Sequence, residues 1–137
     1  MSMIPRSLLD TDTLSLIMRQ NPKTLVAAQN YLQTHANFTF SIITRYEILR
    51  GLKAKAASVQ LRAFEKFCGF NEIIPITDEI IIKASNIYSD LYRNGNLIGD
   101  ADILIAATAM TFDLVLVTNN ERHFQRIKGL KVENWSK

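Results

Sequence analysis

Four stretches of this chain place polar residues where an apolar run ends or begins. They are Leu8-Leu9-Asp10-Thr11-Asp12-Thr13, Ser41-Ile42-Ile43-Thr44-Arg45-Tyr46-Glu47, Gly99-Asp100-Ala101-Asp102 with the apolar Ile103-Leu104-Ile105-Ala106-Ala107 behind it, and Val117-Thr118-Asn119-Asn120. Carboxylates brought close together repel, and the cluster becomes favourable when a cation neutralises it. Hard divalent cations such as Mg²⁺ or Mn²⁺ take carboxylate and water oxygens in octahedral array. A cation so held acidifies a bound water and stabilises charge on a phosphodiester, so phosphodiester hydrolysis is the chemistry these residue types could perform. Each acid also has a plainer use. Asp10 at a strand end could cap the next helix, and Glu47 could lie on a solvated helix face. Asp102 could sit in a first helical turn because the dipole favours it there, and Asp100 could be the cap itself. The four stretches together, each at an element terminus, are harder to dismiss than any one alone.

The elements that must position them follow from pattern. Ser7-Leu8-Leu9 is a first strand ending in Asp10. Asp12-Thr13 caps a helix through about Arg19, and Asn21-Pro22 starts another whose apolar face carries Leu25, Val26, Ala28, Leu32 and Ala36. The β-favouring run from Phe38 to Ile42 is a second strand, and Thr44 opens a helix with Tyr46, Ile48, Leu49 and Leu52 apolar. A helix spans Ala56 to Phe67 and closes at Cys68-Gly69. Ile73 to Ile76 is a strand at a sheet edge or end, because Pro75 cannot donate to a ladder. Thr77 or Asp78 caps a long helix through Tyr92, stopped by Asn94-Gly95. A very apolar helix runs from Ile103 to Thr111, and Leu114 to Val117 is a buried parallel strand. Thr118-Asn119-Asn120 begins a short helix, and Leu130 to Glu133 is the last strand. Strands separated by helices imply parallel crossovers and a three-layer α/β/α sandwich around a central parallel sheet. In such sheets the site lies at the carboxyl ends of the strands, where Asp10, Thr44, Glu47 and Thr118 to Asn120 fall.

Composition sets the bounds. The 137 residues fit one domain, expected over 1–137, with 47% hydrophobic and 21% charged residues. No apolar run spans a membrane, and Pro5 with Arg6 interrupts Met1–Leu9, so no signal peptide is expected. A single cysteine, Cys68, makes no internal disulfide, and a reducing cytoplasm is the expected home. The net charge of +3 is compatible with a nucleic-acid partner without requiring one. Arg45, Arg50, Lys53, Lys55, Arg62 and Lys66 make the middle of the chain basic, as a phosphate track or as a solvated face. His35 at a helix end suits the dipole. His123 stands beside the fourth stretch with no role that metal chemistry requires.

These blocks resemble PIN-domain ribonucleases, and specifically the VapC toxins of type II toxin–antitoxin modules. The family's opening LLDTN corresponds to Leu8-Leu9-Asp10-Thr11-Asp12, and its S-x-x-T-x-x-E-x-x-x-G block to Ser41, Thr44, Glu47 and Gly51. Its D-x-x-I-A-A-x-A block corresponds to Asp102, Ile105, Ala106, Ala107 and Ala109. Its V-T-N-N block, with a following Phe and a closing G-L…W, corresponds to Val117, Thr118, Asn119, Asn120, Phe124, Gly129, Leu130 and Trp135. The resemblance implies that Asp10 and Asp102 are the principal Mg²⁺ or Mn²⁺ ligands. Glu47 would be the third acid, and Thr44 and Thr118, with Asp12 beside them, would hydrogen-bond or support the ligands. It implies an endoribonuclease acting on a structured RNA such as tRNA, a VapB-like antitoxin, toxin homodimers and toxin–antitoxin hetero-oligomers. Two departures stand out. Asp12 replaces the family's frequent Asn, and Asn119 and Asn120 stand where many PIN domains have a fourth acid, which makes Asn120 a neutral candidate for the catalytic group.

Other readings remain at this stage. Asp10-Thr11-Asp12-Thr13 also fits D-x-D-x-T, the opening of haloacid-dehalogenase-type phosphatases, with Asp10 as nucleophile and Asp12 as general acid. A non-catalytic PIN fold that binds RNA or a partner is the non-enzymatic alternative. Residue chemistry does not separate RNA from DNA cleavage, because the metal mechanism makes no use of the 2′-OH.

Overall fold

Ser7, Leu8 and Leu9 form β1 (Ser7–Leu9), and each is buried because the strand lies at the middle of the sheet. The computed structural model describes residues 4–137, so the first three residues of the expected domain, and of Met1–Leu9, lie outside the described residues. The chain continues through α1 (Thr11–Met18), α2 (Pro22–Thr34), β2 (Thr39–Ser41), α3 (Ile42–Ala54), α4 (Ser58–Gly69) and β3 (Glu72–Ile74). It ends with α5 (Asp78–Arg93), α6 (Asp100–Thr111), β4 (Val115–Val117), α7 (Glu121–Phe124) and β5 (Val132–Glu133). The strands form one parallel sheet in the order β3-β2-β1-β4-β5, with Leu9 opposite both Phe40 and Val117. The chain winds one way from β1 to β2 and β3 and the other way to β4 and β5. The switch point therefore lies between β1 and β4.

Alternation along the strands feeds two cores, one on each face of the sheet. Leu8 and its register partner Leu116 pack with α5 and α6 residues such as Ile80, Ile87, Ile103 and Ala106. Leu9 and its partner Val117 face the opposite way, into Leu14, Tyr31, Phe40, Ile48, Phe64 and Trp135. The helices thus cover both faces in the expected three layers. α6 is buried nearly all round, at Ile103 and from Ile105 through Ala109, which accounts for its lack of a polar face. The expected edge strand is β3, and Pro75 falls just beyond it.

Several local expectations are corrected. The first helix is capped by Asp10 and not by Asp12-Thr13, and α3 is capped by Ser41, three residues before Thr44. Gly99, not Asp100, occupies the cap position of α6. Ala56 has φ of +52° and separates α3 from α4, so the helix expected from Ala56 begins at Ser58. On α2 the buried residues are Thr24, Ala28 and Tyr31, while Val26 and Leu32 are exposed and Ala36 lies past the helix end. Tyr31 wins that face because its ring stacks on Phe38 and meets Trp135, and its hydroxyl accepts from the Ser7 N–H at 3.1 Å. Tyr46, read as part of the apolar face of α3, is exposed.

Candidate active site

β1 runs straight into α1, so Asp10 is the last extended residue and the cap of the helix together. Its Oδ1 accepts from the Thr13 N–H at 2.8 Å, and its own N–H donates to the Val117 carbonyl at 3.0 Å across the switch point. The residue is only 5% exposed. Burial pushes its carboxyl up to about 6; hydrogen bonds from Thr118 and Thr13 pull against that rise, and the nearby Asp12 charge adds to it. Among the described residues no Lys, Arg or His pairs with Asp10. A buried carboxylate without a basic partner is costly unless something cationic joins it.

Glu47 reaches the same end of the sheet from the second turn of α3. The Thr11 hydroxyl donates to Glu47 Oε1 at 2.6 Å and lies 3.1 Å from Thr44 Oγ1. One hydroxyl hydrogen cannot serve both contacts, so the fully buried Thr44 is the donor in the second. Arg50 stands 3.6 Å from Glu47 Oε2 and over the Tyr46 ring, at the rim. Asp102, in the first turn of α6, has its Oδ2 3.5 Å from His123 Nδ1. Burial raises the Asp102 carboxyl above the ordinary carboxylate range, the Glu47 and Asp12 charges add to that rise, and His123 opposes it.

The geometry therefore brings Asp10, Glu47 and Asp102 to one end of the sheet, with Asp12 exposed beside them. Thr118 is fully buried after β4; its hydroxyl bonds Asp10 and its Oγ1 accepts from the Asn120 N–H at 2.9 Å. The Asn120 Nδ2 lies 3.0 Å from His123 Nδ1. Asn119 is exposed. Sequence reasoning passed over Thr11 and left His123 without a role; the Thr11 signal lay inside the first motif, whereas nothing local marked the ring of His123 as facing Asp102. Of the basic run, Arg45 is paired with Glu65 and also contacts Cys68, and the largely exposed Arg50 stands beside Glu47.

Among the described residues no three His, Cys, Asp or Glu side chains converge closely enough to enclose an ion by themselves. An open site asks less of the protein. Mg²⁺ keeps several waters and uses one or two carboxylates together with substrate phosphates. The donor set, all oxygen and all on one rim, has that chemistry. A cleft of about 380 Å³ leads away from it between α1 and α3, lined by Thr11, Met18, Glu47, Ile48, Leu52 and Lys55 among others. A larger cavity of about 500 Å³ lies elsewhere, between α5 and residues Arg126 to Lys128, and holds none of these acids.

Comparison with known proteins adds an independent finding. A family model described as PIN domain matches residues 7–130. The chain is 43% identical over 94 residues to Ribonuclease VapC1 of Methanocaldococcus jannaschii, a span covering 67% of each. It is 30% identical over 129 residues to the tRNA(fMet)-specific endonuclease VapC of Salmonella typhimurium, covering 93% of this chain and 96% of that one. Among solved structures, DNA-bound VapBC from Salmonella typhimurium superposes with a TM-score of 0.85 at 30% identity, over 96% of this chain and 99% of that chain. VapBC2 from Rickettsia felis, bound to a promoter DNA fragment, gives 0.84 at 26% identity, over 94% and 98%.

Proposed function

The chain belongs to the PIN domain family, and from that premise we propose that it is a VapC-type toxin endoribonuclease that uses Mg²⁺ or Mn²⁺ and is restrained by a VapB-like antitoxin. The observation that carries the reading is Asp10: a buried carboxylate at the switch point, without a basic partner among the described residues, sharing its rim with Glu47 and Asp102. Asp10 and Asp102 would hold the cation, and Glu47 would be the third acid. When bound, the cation supplies an acidified water and charge stabilisation at the scissile phosphate. The protein's own part is positioning. The cap bond to Thr13 and the Thr118 hydroxyl fix the Asp10 carboxyl, and the Thr44–Thr11 pair fixes Glu47. The haloacid-dehalogenase alternative falls with the family membership. It also leaves unused Glu47, which the hydroxyl chain from Thr44 holds in place.

The substrate is proposed to be a structured RNA, with tRNA the first class to test because a relative bears a tRNA(fMet)-specific name. The cleft beside Glu47 suits an antitoxin segment laid over the site, ending in an Arg or Lys that would pair with the carboxylates. Exposed Ile81, Tyr88 and Tyr92 give α5 an apolar face for a second copy. The cytoplasm is the compartment this activity needs. The test is cleavage of total RNA by the purified chain, followed by mapping of new 5′ ends. Excess EDTA should abolish cleavage, and Mg²⁺ or Mn²⁺ should restore it. Undiminished cutting in EDTA would remove the cation from the reading.

A further inference from the structure

The cavity of about 500 Å³ between α5 and the chain that follows α7 has no part in the chemistry assigned so far. Its walls carry three cations, Lys83 from α5 and Arg126 and Lys128 from the segment leading to β5. No acid pairs with any of the three among the described residues. The one acid on the cavity wall, Asp90, faces Arg93 at 2.8 Å. The floor is apolar, formed by the buried Ile87 and Ile127. Arg126 is already anchored. Its Nη1 donates to the Asn96 and Leu97 carbonyls at 3.4 and 3.3 Å, while its Nε and Nη2 make no hydrogen bond among the described residues. A guanidinium held at one nitrogen and open at the other two presents the fork that matches a phosphate. The two lysines add compact charges that accept a phosphate without fixed geometry.

This cavity adjoins the acidic rim. The Arg126 N–H donates to the His123 carbonyl at 3.4 Å, and the His123 ring lies 3.5 Å from the Asp102 carboxylate. Three residues, roughly 5 Å of helical backbone, thus separate the rim from the cavity wall. The two surfaces have opposite sign, carboxylates on the rim and unpaired cations one turn beyond it. A polyanion laid over the rim meets repulsion from its acids and is held by positive charge to the side. We propose that the cavity is a phosphate-binding subsite for an RNA strand. It takes a phosphate flanking the one at the rim, gripped by Arg126, Lys83 and Lys128, with the attached sugar over the Ile87 and Ile127 floor. Contacts of this kind position a strand without reading its sequence. The inference deepens the nuclease reading above and rests on it for the course of the strand over the rim. A free phosphate or mononucleotide offers the same chemistry, so the experiment has to separate the two sources.

The probe is total tRNA, bound to the intact chain in excess EDTA and followed by fluorescence anisotropy across a salt series. Lys83→Gln and Lys128→Gln should each weaken binding about fivefold and lower the slope of log affinity against log salt by roughly one. Lys23→Gln removes the same charge from α2, on the opposite face of the sheet, and should weaken binding by less than about twofold. Inorganic phosphate and AMP are then added in turn at constant ionic strength, and each should displace tRNA only at millimolar concentration. AMP that binds at micromolar concentration and is lost in Lys128→Gln, with tRNA binding unchanged, assigns the cavity to a free nucleotide and overturns the RNA subsite. Equal tRNA affinities in Lys83→Gln, Lys128→Gln and Lys23→Gln overturn it as well, and the nuclease reading still stands if the parent cleaves RNA once Mg²⁺ is added. A parent that binds no tRNA at low salt also overturns the subsite, whereas one that cuts no RNA in Mg²⁺ or Mn²⁺ overturns the reading beneath it.

Discussion

At the scale of single residues, the site is a set of carboxylates kept in place by hydroxyls. Asp10 shows the cost. Its carboxyl, shifted from 3.8 to about 6 chiefly by burial, favours the protonated form in the folded protein. The sign follows directly: the acid form's contribution, about 3 kcal/mol, is fully present below about pH 4 and is lost as pH rises through 6. In chelator the protein should therefore melt higher at pH 5 than this group allows at pH 7.5, and Mg²⁺ should raise the melting temperature more at pH 7.5 than at pH 5. Asp10→Asn keeps a competent helix cap and should flatten both trends. Circular dichroism melts read all three, and a Mg²⁺ effect larger at pH 5 contradicts the assignment. The same logic at Asp102 concerns rate: Asp102→Asn should slow RNA cleavage at least about a hundredfold with the fold intact. A variant that cuts like the parent removes Asp102 from the site. Asp10, Glu47 and Asp102 were legible because Asp10 ends an apolar strand, Asp102 opens an apolar helix, and Glu47 stands at motif spacing from Ser41 and Thr44. Thr11 and His123 were not, since each acquires its role from a partner distant in sequence, Glu47 for Thr11 and Asp102 for His123.

At the scale of elements, existence and type were legible and boundaries were less so. The reason is specific: β1 enters α1 and β2 enters α3 without a loop, so the strand's last residue doubles as the helix cap. A reading that looks for a separate cap chooses a residue further on, Asp12 or Thr44. Helix faces failed in a similar way on α2, where Tyr31 displaced Val26 and Leu32 because the sheet offered its hydroxyl a donor. β1 matches β2 only at Leu9, which leaves the Ser7 N–H for Tyr31 to accept. Tyr31→Phe leaves that buried N–H without a partner and should lower stability by about 1–3 kcal/mol in chemical denaturation, with cleavage by the folded enzyme unchanged. An unchanged denaturation midpoint would mean that water replaces the hydroxyl without loss.

At the scale of the whole molecule, the parallel sheet gathers residues from four separate stretches at its switch point, and this arrangement makes the site depend on the complete fold. The acids cluster on that one rim although the chain as a whole carries a net charge of +3. The basic excess can then draw RNA in over the surface while the rim itself stays acidic. Among the described residues no helix is long and apolar enough to cross a membrane. A nuclease of this construction, free among cellular RNAs, is harmful unless something covers the rim. Induced expression of the chain alone should arrest growth, and Asp102→Asn should relieve the arrest at equal protein level. Co-expression of a small protein encoded beside it should relieve the arrest equally and co-purify with the wild-type chain. Arrest that persists in Asp102→Asn would trace the harm to binding and not to cutting. Full growth with abundant, folded wild-type protein and no partner gene present would remove the toxin role and leave the PIN fold untouched.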